Sequence, residues 1–528
     1  MEQSGPAADG RPLRIGVIGG GTAGYFAALA IKRRFPHIDV MIVESSRIPI
    51  IGVGEATTTL MPPFLHAQLG LDIVELFHEV KPTFKLGIQF DWGLPGDYYF
   101  TYPFGEAQPV EAHVFERDLR LQSLTSLLMG ERRAPILRGP ENELHSLLPS
   151  LKFAYHLDNA PFVAFLAKSA RRMGIDHVDV AIDHVVTSGE GRIEALRSND
   201  GRELQFDLYV DATGFRSLLL ERSLGSPFQS YASSLFCDTA IVATVPQRDS
   251  IQPYTTAETM DCGWCWRIPV EGEDHRGYVH SSAFIDVDAA MAEMRAKNPG
   301  MGEPWVVRFR SGRHREFWRK NVVAVGNAYG FVEPLESTAL HMVIIEVAYL
   351  LAGIEAMQDP NNDESFAARA NDAVGAHWDY LRWFLSVHYK FNRRLDTPFW
   401  RASRADVDVS GVRHLLDRFE REGPWVVKQG QRFEVGDPAF GYSGLMMMLL
   451  GQRVPCPEPV VTMSREAWQL QLAKYRGLVQ RALPQDEALR ALREHPEMLV
   501  RLTRAPGSWC ASDAERFSVA NAMKSSSG

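Results

Sequence analysis

The sequence predicts an α/β protein, one compact body in which a parallel-stranded core carries an inserted mixed β-sheet and a helical C-terminal region. Three observations predict it. Leu13–Ile18 is a short β-branched strand running into Gly19, Gly20 and Gly21, followed by helical periodicity to about Arg34 and a second strand, Ile38–Val43. Residues 231–285 read mainly as strands. Beyond Gly330 the apolar spacing turns helical, over about 337–357, 364–391, 408–421, 464–482 and 486–503.

Between these blocks, Pro62–Val80 has helical spacing and Phe84–Trp92 alternates like a strand. A long helix is predicted from Glu111 to about Met129 and another over Phe162–Arg172. Three strands follow near 177–187, 191–198 and 203–211, with turn signals at Gly189–Gly191 and Asn199–Gly201. No internal repeat and no Gly/Ser linker divides the chain, so the blocks belong to one body.

The 528 residues are 45% hydrophobic and 23% charged, enough apolar material for a sizeable core and too much for a disordered chain. A formal charge of −9 lacks the basic footprint that a phosphate backbone demands, so no nucleic-acid partner is expected. The opening MEQSGPAADGRP is a polar arm rather than a signal peptide, and Leu340–Ala352, with His341 and Glu346 inside it, is too short to span a bilayer. The five cysteines are an odd number in a long chain, which argues against a secreted disulfide scaffold. Cys262 and Cys265 form a CxxC without a second pair or a His cluster to complete a metal site, so no metal is expected. These observations together predict a cytoplasmic protein without membrane association.

Gly19, Gly21 and Gly24 form G-x-G-x-x-G between strand and helix. The first glycine permits the tight turn, the second lets a pyrophosphate approach the backbone, and the third lets helix and strand pack closely. Glu44 follows at the end of the second strand, where an acid binds ribose hydroxyls. Leu208–Gly214 (LYVDATG) and Ala324–Ala328 (AVGNA) add late strand-to-turn elements of the kind that close a flavin site. No second GxGxxG offers a resident nicotinamide site, so the cofactor read here is FAD, with electrons supplied from elsewhere. The expected division is a flexible arm over 1–12, a Rossmann-type FAD-binding core over 13–360 with substrate-side insertions at about 85–135 and 225–310, a helical region over 361–520 and a disordered tail over 521–528.

Four further motifs occur in order: Gly52–Thr57 (GVGEAT), Gly263–Pro269 (GWCWRIP), Phe331–Thr338 (FVEPLEST), and His388–Tyr389 followed by Arg394–Trp400 (RLDTPFW). With the glycine turn they resemble the flavin-dependent tryptophan halogenase family from about Leu13 to about Leu483. The resemblance implies that reduced FAD (FADH2), delivered by a separate NAD(P)H-dependent flavin reductase, uses O2 to oxidise chloride or bromide to hypohalous acid. The acid then crosses a tunnel to a lysine beside an aromatic substrate. It implies Lys85 as that lysine and Glu336 as the acid that orients the electrophile or takes the ring proton. It places Gly19, Gly21, Thr22, Ala23, Gly24, Glu44, Gly54, Ala56, Gly214, Gly326 and Leu335 at the cofactor. The backbone N–H groups of Thr338 and Ala339 would hold halide, Ala339 standing where the family usually has Gly. Ser337, Trp264 and Trp266 would line the tunnel, with Cys262 and Cys265 as small hydrophobes in the same wall.

By residue type alone, Lys85 on an alternating strand is a solvated face, Glu336 is a helix N-terminal acid, and the two tryptophans are core aromatics. Two departures from the family bear on the substrate. Leu445 and Met446, within GLMMMLLG, occupy the place of a Tyr-Tyr pair that clamps the backbone of free tryptophan; a buried helix or strand reads equally well there. Phe104 matches an aromatic that sandwiches the indole, whereas Tyr102 replaces a frequent histidine. The expected substrate is therefore an electron-rich indole or tryptophanyl group, as a small molecule or within a peptide, rather than free tryptophan. Two alternatives remain: an FAD-dependent aromatic monooxygenase using the same oxidant, and a flavoprotein scaffold without chemistry.

Overall fold

The computed structural model describes residues 11–48, 52, 54–247, 249–359, 365–424 and 441–516; the predicted tail, Val53 of GVGEAT and all of the predicted arm except Arg11 and Pro12 lie outside them. The fold is α/β, with a core sheet ordered Asp176–Asp179, Asp39–Glu44, Arg14–Ile18, Leu208–Asp211, Val322–Ala324 and Trp318–Arg319. The first five strands are parallel and the last is antiparallel. Buried on both faces, they carry apolar residues without strict alternation: Ile15, Val17, Ile42, Val210, Val322 and Val323 are all nearly inaccessible. Helix Thr22–Arg34 packs against this sheet, and helices Asn159–Arg172 and Thr338–Met357 pack on that helix in turn. Register sets Ile18 beside Val43 and Asp211, and Asp211 beside Ala324, so the carboxyl ends of the strands share one edge, where open α/β sheets bind ligands.

The second large sheet is mixed, running Trp305–Arg308, Thr239–Pro246, Glu273–His280, Gly263–Pro269, Thr255–Met260, Gly87–Asp91 and Phe100–Pro103. The predicted strand Phe84–Trp92 is in fact two strands in different sheets. Thr83–Lys85 pairs with Ala154–Leu157 in a small sheet, and Gly87–Asp91 joins the large one. Leu86 is the handover: its N–H bonds the Pro253 carbonyl at 2.7 Å and its carbonyl accepts from Phe104 N at 2.8 Å.

Other boundaries also shift for local reasons. The helix predicted over Glu111–Met129 is broken by Arg117, left-handed at φ 54°, and restarts twice, where Asp118 and then Ser123 cap the next turns. Pro62–Val80 passes through a wide π turn and Gly70 (φ 70°) before Asp72 caps Ile73–Glu79. Near 177–187 the chain makes two strands: Asp176–Asp179 in the core sheet and Ile182–Thr187 in a separate three-stranded sheet. Pro496 splits 486–503 into Gln485–Glu494 and Glu497–Arg504, because a helix cannot continue past a residue lacking its N–H. Helices Val287–Lys297 and Pro398–Asp406 were not expected.

By length and composition Thr338–Met357 could cross a membrane, but most of it is buried inside the protein. It also carries fully buried Glu346, whose carboxylate accepts from Gly326 N at 2.6 Å and Trp378 Nε1 at 3.0 Å. Burial pushes that acid up to about 8. The helix is a core element that ties the carboxyl edge of the sheet to the C-terminal helices.

Candidate active site

A cavity of about 410 Å³ opens at the carboxyl edge of the core sheet and extends to the mixed sheet. Its floor is the glycine turn. Gly19 adopts φ 123°, and a Cβ on Gly24 would lie 2.0 Å from the Gly19 carbonyl, so helix and turn can approach only as glycines. No side chain caps helix Thr22–Arg34 and its first turn holds no acid, leaving its N–H groups and positive dipole end free for phosphates. Glu44 folds across the turn above Gly20 and contacts Tyr25 Oη at 3.2 Å and His177 Nε2 at 2.6 Å. Gly54, Gly214 and Gly326 line the same cavity at positive φ (76°, 62° and 61°).

All the expected cofactor residues except Gly24 and Leu335 line this cavity. Gly24 acts from behind the turn, and Leu335 is buried in the core. Residues not anticipated there include Asn159, Phe215, Arg216 and Asn327; the position of Arg216 two residues after Ala-Thr-Gly was the available signal. Volume, glycine turn, ribose-side acid and uncapped helix all fit a dinucleotide such as FAD. Gly24→Val should weaken flavin binding about ten- to hundredfold through overpacking of the turn, read by flavin fluorescence titration with thermal unfolding as the control.

The opposite end of the cavity reaches Trp266, Pro334, Ser337 and Ala339. Lys85 is fully buried just beyond, its Nζ donating to Thr57 O at 3.0 Å and Ser337 Oγ at 2.6 Å and lying 5.3 Å from the centre of the Phe104 ring. Burial lowers its ammonium to about 7, against an opposing pull from the nearby Glu336 carboxylate. Ser337 sits at φ 59° immediately before helix Thr338–Met357 and does not cap it. With its hydroxyl engaged by Lys85, the N–H groups of Thr338 and Ala339 have no side-chain cap, and the Thr338 hydroxyl has no hydrogen-bond partner among the described residues. An uncapped N-terminus of a 20-residue helix is suited to a small anion.

Glu336 is buried, with Oε1 2.8 Å from His388 Nε2. Tyr102 faces it: burial, then Glu336 and Tyr380, push that phenol well above its ordinary range. Lys85, Glu336, Ser337, Thr338, Phe104 and Tyr102 thus converge, drawn from the small sheet, the mixed sheet and the turn before one helix. Trp264 and Trp266 share one strand face, ring centres 6.0 Å apart. Only Trp266 lines the cavity, and its indole lies on Gly277, where a Cβ would come within 1.9 Å of the ring. Trp264 instead donates to Glu333 Oε1 at 3.0 Å, and Tyr389 Oη bonds the same oxygen. Burial pushes Glu333 up to about 7.

Cys265 faces away from the tryptophans into a small second cluster with Ile241, Met260 and Tyr278, so it is not part of their wall. Burial raises the thiols of Cys262 and Cys265 to about 11 and about 12, and both are unpaired, which makes them poor redox groups. Leu445 and Met446 are buried in helix Gly441–Gly451, which packs on helix Phe366–Phe391 and strand Phe100–Pro103 behind the site. His388, quoted from the sequence without a role, and the unanticipated Tyr380 and Phe384 repeat every fourth residue along Phe366–Phe391, the one available sign of a shared helix face.

The family model described as tryptophan halogenase matches residues 14–466. Tryptophan 6-halogenase ThaL of Streptomyces albogriseolus is 31% identical over 432 residues, 75% of this chain and 80% of that protein. Tryptophan 7-halogenase RebH of Lentzea aerocolonigenes is 30% identical over 438 residues, covering 78% and 82%. Among solved structures, MibH, described as a lanthipeptide tryptophan 5-halogenase, superposes with a TM-score of 0.91 at 45% identity, over 97% of this chain and 100% of that one. BrvH, a flavin-dependent halogenase from Brevundimonas sp. BAL3, gives 0.79 at 29% identity, over 91% and 99%.

Proposed function

This chain belongs to the tryptophan halogenase family, and from that premise we propose that it places chlorine or bromine on the indole ring of a tryptophan carried in a peptide. Reduced FAD from a separate NAD(P)H-dependent reductase, with O2, supplies the oxidising power that converts halide to hypohalous acid. The chain's own groups do the rest. The N–H groups of Thr338 and Ala339 hold halide beside the cavity while the Ser337 hydroxyl stays with Lys85. Lys85 receives the hypohalous acid by hydrogen bond or as a transient haloamine, in a site from which burial excludes water. Phe104 and Tyr102 hold the ring, and Glu336 orients the electrophile and takes the displaced proton.

One observation carries this reading. A buried amine and a buried carboxylate sit together where the helix N-terminus meets the cofactor cavity. A hydroxylating flavoenzyme has no use for that amine. The peptide substrate is supported by two facts. Likeness to MibH, described as acting on a lanthipeptide, extends over 97% of the chain. The positions of the expected Tyr-Tyr clamp are apolar and packed in the core, leaving no side-chain hydroxyls there to meet an ammonium and a carboxylate.

The test is mass spectrometry of reactions containing FAD, a flavin reductase, NADH, oxygen and bromide or chloride. A halogen isotope pattern in a tryptophan-containing peptide, and little in free tryptophan, is the expected result. Efficient turnover of free tryptophan would remove the peptide assignment. An oxygenated product formed without halide would replace the halogenase reading with a monooxygenase.

A further inference from the structure

Glu336 does not act on its surroundings alone. Its Oε1 lies 2.8 Å from Nε2 of His388, with the two side chains 1% and 0% exposed. The other ring nitrogen, Nδ1, is 2.9 Å from the Phe384 carbonyl one helical turn back. A carbonyl only accepts, so Nδ1 carries a hydrogen. Nε2 and Oε1 must then share one proton between them, as imidazolium with carboxylate or as imidazole with carboxylic acid. The ring is fixed for this contact: it stands edge-on to Phe384 at 4.9 Å and tilts against Phe90 at 5.5 Å. The second carboxyl oxygen, Oε2, makes no hydrogen bond to a described residue. Lys85 and Tyr102 are the titratable groups that face Glu336 from the neighbouring strands.

We infer that Glu336 and His388 form one proton-accepting unit, in which His388 is a positioning residue that shares the proton Glu336 removes from the ring. The inference rests on the halogenation proposed above. When the halogen has added, the C–H bond at that ring carbon breaks, its electron pair restores the aromatic ring, and the proton passes to Oε2. The unit goes from one shared proton to two and ends as carboxylic acid beside imidazolium. From carboxylate and imidazolium the proton simply adds. From acid and imidazole it adds at Oε2 while the hydrogen on Oε1 moves to Nε2. Both routes reach the same product and need no further reactant. An isolated buried carboxylate would lack the imidazolium that sustains its charge before the proton arrives.

The test compares His388→Ala and His388→Gln with the wild type, on peptide substrate carrying hydrogen or deuterium at the halogenated ring position. A glutamine amide can still donate to Oε1 but cannot take up a proton. The expected result is that both variants bind FAD normally, lose on the order of a hundredfold in kcat with little change in KM, and acquire a primary isotope effect absent from the wild type. Recovery of the wild-type rate by His388→Gln, without an isotope effect, would reduce His388 to a hydrogen-bond donor and overturn the inference. A wild type that gives no halide-dependent product would overturn the halogenase reading and the inference together. If both variants fail to fold, ¹⁵N-histidine spectra of the wild type decide: the His388 ring resonances should move in Glu336→Gln, and unmoved resonances would overturn the shared proton.

Discussion

Lys85→Met should abolish halogenation, by about a thousandfold or more in kcat, while FAD binding and oxidation of halide persist. Methionine keeps the length and apolar stem of the lysine but loses the donors to Thr57 O and Ser337 Oγ. The substrate would meet free hypohalous acid, detectable with an added halogen acceptor, rather than an electrophile held beside its ring. Unchanged product yield would sink the assignment of Lys85. The wild-type pH profile says which form of the amine works. Because burial lowers Lys85 from 10.5 to about 7, the neutral amine accumulates as pH rises through 7, so a haloamine route speeds up there and an ammonium hydrogen-bond route slows down.

The same substitution should raise the melting temperature at neutral pH. The folded state holds the Lys85 proton less tightly than the unfolded chain does, so below about 7 the group carries its full destabilising effect. Stability from this group then rises with pH between about 7 and 10.5, where the unfolded chain binds the extra proton. Lys85→Met removes that slope. A gain in stability with a loss of activity is the signature of a group kept for chemistry.

Glu336→Gln should slow halogenation about a hundredfold with substrate binding nearly intact. The amide fills the same volume and can still meet His388 Nε2, so the pocket around Tyr102 and His388 should not collapse. It cannot take a ring proton. Steady-state kinetics on the peptide substrate measure the split, and a fully active Glu336→Gln enzyme would leave the residue a structural role only.

Much of the cofactor half was legible because its signal is local: glycines at fixed spacing, a strand, a helix and an acid lie within about thirty residues. The reacting half was not. Lys85 meets Ser337 across 252 positions and Glu336 meets His388 across 52, and neither strand alternation nor helix periodicity predicts which distant side chains converge. By pattern alone Lys85 is a surface lysine; only its resemblance to a family motif drew attention to it. The broken helices divide the same way. Pro496 stands in the sequence as a stop, although apolar spacing alone predicts one helix across it, whereas Arg117 turns left-handed with no glycine or asparagine at its position to announce it.

The indole of Trp266 resting on Gly277 has an evolutionary consequence. Gly277 is not among the glycines at positive φ, so any small residue satisfies its backbone, and the first atoms a Cβ would meet are those of the indole, 1.9 Å away. A single codon change there would displace the ring that borders the cavity without replacing any residue that lines it. Lineages of this enzyme could therefore regrade what passes between the two halves of the site by drift at a position that an inventory of ligand contacts would overlook.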